Sequence, residues 1–233
     1  LMLFSIGDKV YIQRVGDGIS LQIDGQDLGD PDAGTVGATL SGQAGIYNSG
    51  SITSSGTNGG GSIHLAAGDM YGLAILNEGT IQAAGGEISL TAQGGAIHNA
   101  ENGVINVTSN NSGDGGNVFI QAPAFVNEGL IEANAISGNP AVSAGNIDIN
   151  TYFNAIFTQT SNLQANATIA GNGGTISVEA TNGTVAFAEG STVAVKGGLM
   201  GGDGGAVNIT GQQVSYYATT KVGALNGTDG SLS

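Results

Sequence analysis

Gly145-Asn-Ile-Asp-Ile149 is one copy of a short phrase: a glycine, one variable residue, then two branched apolar residues separated by a single residue. The phrase stands five more times, at Gly61-Ser-Ile-His-Leu65, Gly86-Glu-Ile-Ser-Leu90, Gly116-Asn-Val-Phe-Ile120, Gly174-Thr-Ile-Ser-Val178 and Gly205-Ala-Val-Asn-Ile209. Its first apolar positions are Ile63, Ile88, Val118, Ile147, Ile176 and Val207, spaced by 25, 30, 29, 29 and 31 residues. Self-similarity at such a period marks a repeat architecture with variable loops. A second apolar patch follows each copy (Ile75, Ile97, Val126, Ile156, Val185, Val214), and then a third (Ile81, Ile105, Ile131, Leu163, Val193, Val222).

Within the patches apolar and polar residues alternate, as in Ile88-Ser-Leu90 and Ile105-Asn-Val107, the period of two of a strand with one buried face. Three strands in about 29 residues leave no room for crossover helices. The closed solution is an all-β parallel β-helix, a solenoid with three short strands per coil and roughly 25–31 residues per coil. Residues 1–44 read as N-terminal β coils with an acidic loop, 45–211 as the β-helix repeats, and 212–233 as a last partial coil continuing into a longer chain.

Composition excludes the competing classes. The 233 residues include 43 glycines, and only Asn146–Ala170 is a long glycine-free stretch, so long helices are disfavoured. Three prolines without a Gly-X-Y period exclude collagen, and a hydrophobic share of 40% argues against disorder. Four scattered basic residues (Lys9, Arg14, Lys196, Lys221) against 18 acidic ones give a net charge of −14, which repels nucleic acid and anionic lipid. No apolar run approaches the length of an integral membrane helix. With no cysteine there are no disulfides or thiolate sites.

The corners are legible as well. Asn48-Ser-Gly-Ser-Ile52, Asn77-Glu-Gly-Thr-Ile81, Asn102-Gly-Val-Ile105 and Asn127-Glu-Gly-Leu-Ile131 place Asn and Gly ahead of the third strand, where asparagines can bond one another up the rod. The glycine-rich stretches Gly113–Gly116, Gly171–Gly174 and Gly201–Gly205 lack the Lys-Ser/Thr ending of a phosphate loop and read as inter-coil loops.

The phrases Asn77–Ala83, Gly85–Ala92 and Gly201–Gly211 resemble those of filamentous haemagglutinin-type exoproteins of two-partner secretion systems. The likeness runs best from about Gly45 to Gly211 and more weakly through Gly7–Ile12 and Ile19–Asp24. It implies a right-handed β-helical rod and export through an outer-membrane transporter partner. It also implies an extracellular or cell-surface location on a Gram-negative-type bacterium. The rod would act as an adhesin toward host, neighbouring-cell or matrix surfaces, with possible self-association into filaments. The Asn-Pro-Asn-type motif of that family's secretion domain is absent, so a segment of the rod is expected. Non-enzymatic action follows, with no cofactor.

Several residues carry side chains suited to chemistry. Asp148 and Glu179 fall on one outward face of adjacent coils, separated by roughly 8 Å on strand geometry, inside the range of an inverting carboxylate pair. They define the alternative, a polysaccharide lyase or inverting glycosidase, although no Lys or Arg stands near to bind an acidic sugar. Asp24, Asp27, Asp30 and Asp32 could supply oxygen ligands to Ca²⁺, but they miss the EF-hand spacing and read better as a solvated loop. His64 and His98 each follow an inward Ile on different strands, so a shared metal site is not expected. Phe119, Phe125, Phe157 and Phe187 read as core or stacking residues rather than carbohydrate platforms. Tyr152, Phe153, Ile156 and Phe157 fit a short helix over 150–158 as well as a strand, whereas Leu163, Ala165, Ala167 and Ile169 return to strand period.

Overall fold

A computed structural model describes residues 2–5, 9–15, 18–24, 44–55, 60–68, 72–110 and 113–233, with side chains from residue 44 onward. No helix occurs among them. Parallel strands stack coil upon coil in three faces, as the alternation requires. The third face is a sheet of seven short strands, Ser51–Ser54, Thr80–Ala83, Val104–Asn106, Leu130–Glu132, Asn162–Gln164, Thr192–Ala194 and Thr219–Lys221. In the earlier coils the first face (Ser62–Ala67, Glu87–Ala92) and the second (Ala44–Asn48, Leu73–Asn77, Ala96–Asn99) are separate strands. From Asn117 they run on as single bent strands, Asn117–Asn127, Asn146–Phe157, Thr175–Phe187 and Ala206–Tyr216. Residues 150–157 are therefore strand and not helix.

The repeat phrase sets the register. Ile63, Ile88, Val118, Ile147, Ile176 and Val207 are successive Cα partners, each at most 1% exposed, and form one column of the core. Ile81, Ile105, Ile131, Leu163 and Val193 form its counterpart on the third face. Each such side chain contributes roughly 1.5–3 kcal/mol when buried. Val222 does not extend that column: Thr220 partners Val193, and Val222 lies two residues further on. On the second face Ile75, Ile97, Phe125, Ala155 and Val185 point inward in register, so Val126 and Ile156 are outward neighbours of the core and not members of it.

One step further along the second face, Asn48, Asn77, Asn99 and Asn127 stack as a buried amide ladder. Each Nδ2 donates to the next Oδ1, at 2.7, 2.8 and 2.8 Å. Asn127 closes the ladder by donating to Ser161 Oγ at 2.6 Å. Asn102 is not a rung. Its corner, Ala100–Gly103, is two residues longer than Glu78–Gly79, so the asparagine that precedes glycine there lies in the loop and Asn99 takes the interior place. Above Asn127 the same column becomes aromatic, with Phe157 stacked on Phe187 at 4.0 Å and 3°, then Tyr216.

Coil contact also dictates the glycine of the phrase. A Cβ on Gly86, Gly116, Gly145, Gly174 or Gly205 would collide with the carbonyl oxygen of the equivalent glycine one coil below. The residue is needed for close backbone approach at the corner rather than for its φ.

At the N-terminal side Met2–Ser5 pairs in parallel with Ser62–Ala67, while Lys9–Val15 and Gly18–Asp24 form an antiparallel hairpin. Asp27, Asp30 and Asp32 lie outside the described residues, so the acidic loop has no structural account. Beyond the third face, the loops of successive coils expose Ile136, Ile169, Leu199, Met200 and Leu225, and are joined by Met200 N–H to Ile169 O (2.7 Å) and Asn226 Nδ2 to Leu199 O (3.0 Å).

Candidate functional site

A groove of about 760 Å3 lies outside the corner between the first and second faces. Register slips are confined to this corner in the upper coils. Pro123 alone bridges Ala122 to Ala124, two residues (Tyr152, Phe153) bridge Thr151 to Asn154, and three (Thr181–Gly183) bridge Ala180 to Thr184. An added residue bends the strand and re-aims its side chains. Tyr152 and Phe153 are turned outward, 55% and 51% exposed, with rings edge-to-face at 4.7 Å and 85°. Gly183 permits the next coil to pass against the Phe153 carbonyl, where a Cβ would collide.

The floor of the groove comes from an outward column of the first face. Thr91, Gln121 and Asn150 are register partners on successive coils, joined by Gln93 and Thr181 at the rim. The column continues through Glu179 to Thr210. The parallel outward column is His64, Ser89, Phe119, Asp148, Ser177 and Asn208. Asp148 pairs with Ser177 and Asn150 with Glu179, which leaves the two carboxylates diagonal neighbours, as their spacing implies. Asp148 Oδ1 accepts from Asn150 Nδ2 at 3.0 Å, and Glu179 Oε1 accepts from Thr181 Oγ1 at 3.5 Å. Both therefore border the groove and orient its polar side chains, without lining it.

Phe125, Phe157 and Phe187 are at most 1% exposed and belong to the core, while Phe119 is half-buried on the outward column. The exposed pair is Tyr152 and Phe153, which periodicity placed on a possible helix face. The missed signal was that an unbroken β register leaves no inward position for two consecutive aromatics.

A smaller concavity of about 430 Å3 lies at the second corner, lined by Glu78, Glu101, Glu128, Asn102 and His98. Tyr47 Oη donates to Glu78 Oε2 at 2.7 Å, and that bond holds the phenol above its usual pKa. His98 Nε2 is 3.6 Å from Glu128 Oε1, and His64 Nε2 is 3.8 Å from Glu87 Oε1. The two histidines thus sit on different faces, each beside its own glutamate. No group of three metal-ligating side chains forms among the described residues. On the third face burial raises the pKa of Glu132, whose register partners are Asn106 and Gln164. No helix among the described residues is long and apolar enough to cross a membrane. Compared with known proteins, the chain matches no family model, no curated protein and no solved structure.

Proposed function

We propose that this chain is a structural and adhesive rod segment of a large secreted or cell-surface bacterial protein, acting without catalysis by holding lateral grooves and loops on a stiff spine. The observation that carries the reading is the continuity of the columns: apolar and glycine positions repeat coil after coil, and successive described coils pair in parallel. Such a solenoid resists bending because each unit is locked to its neighbours. The resemblance of the repeat phrases adds an outer-membrane transporter as export partner, an extracellular location, and host, neighbouring-cell or matrix surfaces as targets. The apolar side chains exposed on the third-face loops, Ile136, Ile169, Leu199, Met200 and Leu225, favour lateral self-association into filaments.

Small-angle scattering with negative-stain imaging of the purified chain tests this. An elongated particle, or rods far heavier than 22.8 kDa, is expected, and a compact globule would refute the reading. The diagonal placement of Asp148 and Glu179 beside the groove favours a second reading, an inverting glycosidase or lyase. Release of reducing sugar that is lost in Asp148→Asn and Glu179→Gln would establish it, and no release from any polysaccharide would remove it.

A further inference from the structure

We propose that the groove at Tyr152 and Phe153 binds a neutral glycan chain lying along the rod axis. The inference deepens the adhesive reading and rests on it in one respect: the ligand is held and not cut.

Three observations converge on that class of ligand. Two adjacent aromatic rings are held half exposed by the widened corner, where burial inside the coil would have been the favourable outcome. Rings presented in this way offer faces and edges to the C–H surface of a sugar. Beside them the lining polar groups are neutral amides and hydroxyls, each able to donate or accept, which is the pattern that matches a sugar hydroxyl. Gln93, Gln121 and Thr91 make no side-chain hydrogen bond among the described residues, so their capacity is free for a ligand. Asn150 gives one amide hydrogen to Asp148, which aims the rest of its amide at the groove.

Charge selects among sugars. No cationic side chain lines the groove, and Asp148 and Glu179 flank it. Uronates and sulfated chains would meet two uncompensated carboxylates. The direction of binding follows from the column: Thr91, Gln121 and Asn150 climb one coil at a time, at about 4.8 Å per step. That rise is close to the advance of one sugar unit in an extended chain, so successive units can meet successive coils.

The test is isothermal titration calorimetry of the 233-residue chain with neutral hexasaccharides. The set is a β-linked glucan, a β-linked N-acetylglucosamine oligomer and a mannan oligomer, beside a galacturonate hexamer. At least one neutral hexamer is expected to bind and the galacturonate to fail. Tyr152→Ala with Phe153→Ala should weaken binding by about tenfold or more, and Gln121→Ala by about threefold. Because both aromatics are exposed, the double variant should melt with the parent, which keeps lost binding distinct from lost folding. Asp148→Asn with Glu179→Gln should let the galacturonate hexamer bind. The proposal is overturned if no neutral hexamer binds, or if the double aromatic variant binds as well as the parent. It is also overturned if that variant converts a sedimenting dimer to monomer, since a second copy would then cover the rings. Shortened sugars in the cell after titration would preserve the groove and refute the non-catalytic reading. A compact scattering profile would refute the rod and leave the groove standing.

Discussion

Asn99 accepts from Asn77 and donates to Asn127 and to the Gly103 carbonyl, all at full burial. Truncating it leaves an orphan donor below and an orphan acceptor above, each out of reach of water. Asn99→Ala should therefore cost about 2–4 kcal/mol in urea unfolding, more than its small volume would suggest. A loss no larger than that of an exposed asparagine would mean the ladder is not energetically coupled. Glu132 gives a second prediction. Its folded pKa is raised by burial, so above the ordinary carboxylate range the folded chain binds more protons than the unfolded one. Stability then falls as pH rises through that window. Glu132→Gln should raise the melting temperature at neutral pH, and the gain should vanish in acid below the unfolded pKa. A gain independent of pH would contradict the assignment to burial.

At the scale of the strand and its corner, Gly145 and Gly138 form a matched pair. A Cβ at Gly145 would collide with the Gly116 carbonyl and the backbone around it, whereas at Gly138 nothing lies within 4 Å. Gly145→Ala should destabilise by about 3 kcal/mol or more, in the range of overpacking and backbone displacement, and Gly138→Ala should be neutral or slightly stabilising. Denaturant midpoints of the two variants check this. The first and third faces alternate cleanly, so Ile63 to Val207 and Ile81 to Val193 were legible from spacing alone. The second face carries apolar pairs, Phe125-Val126 and Ala155-Ile156, in which both neighbours look like core and period two cannot choose. Asn102 shares the motif of the rungs for a related reason: the motif persists across a corner whose length changes.

Over the whole molecule, electrostatics oppose the packing. A net charge of −14 stands against four basic side chains, and among the described residues no Lys or Arg pairs with a carboxylate. The melting temperature should rise with sodium chloride from low to physiological ionic strength, as screening weakens the self-repulsion. A flat or falling response would point to compensation by bound cations. The groove was only half legible at this scale. The outward columns with Asp148 and Glu179 followed from the repeat, but the widened corner depends on how many residues each coil spends between two faces. That quantity varies from Pro123 to Thr181–Gly183 without disturbing the columns on either side. The change of the interior column from amides to aromatics at Asn127 and Phe157 bears on descent. A solenoid lengthens most simply by in-frame duplication, and a copied coil must dock on both neighbours. A coil copied within the asparagine half finds an amide above and below, and one copied within the aromatic half finds rings. A coil moved across the junction finds neither, so the rod can grow on either side of that junction only from its own kind.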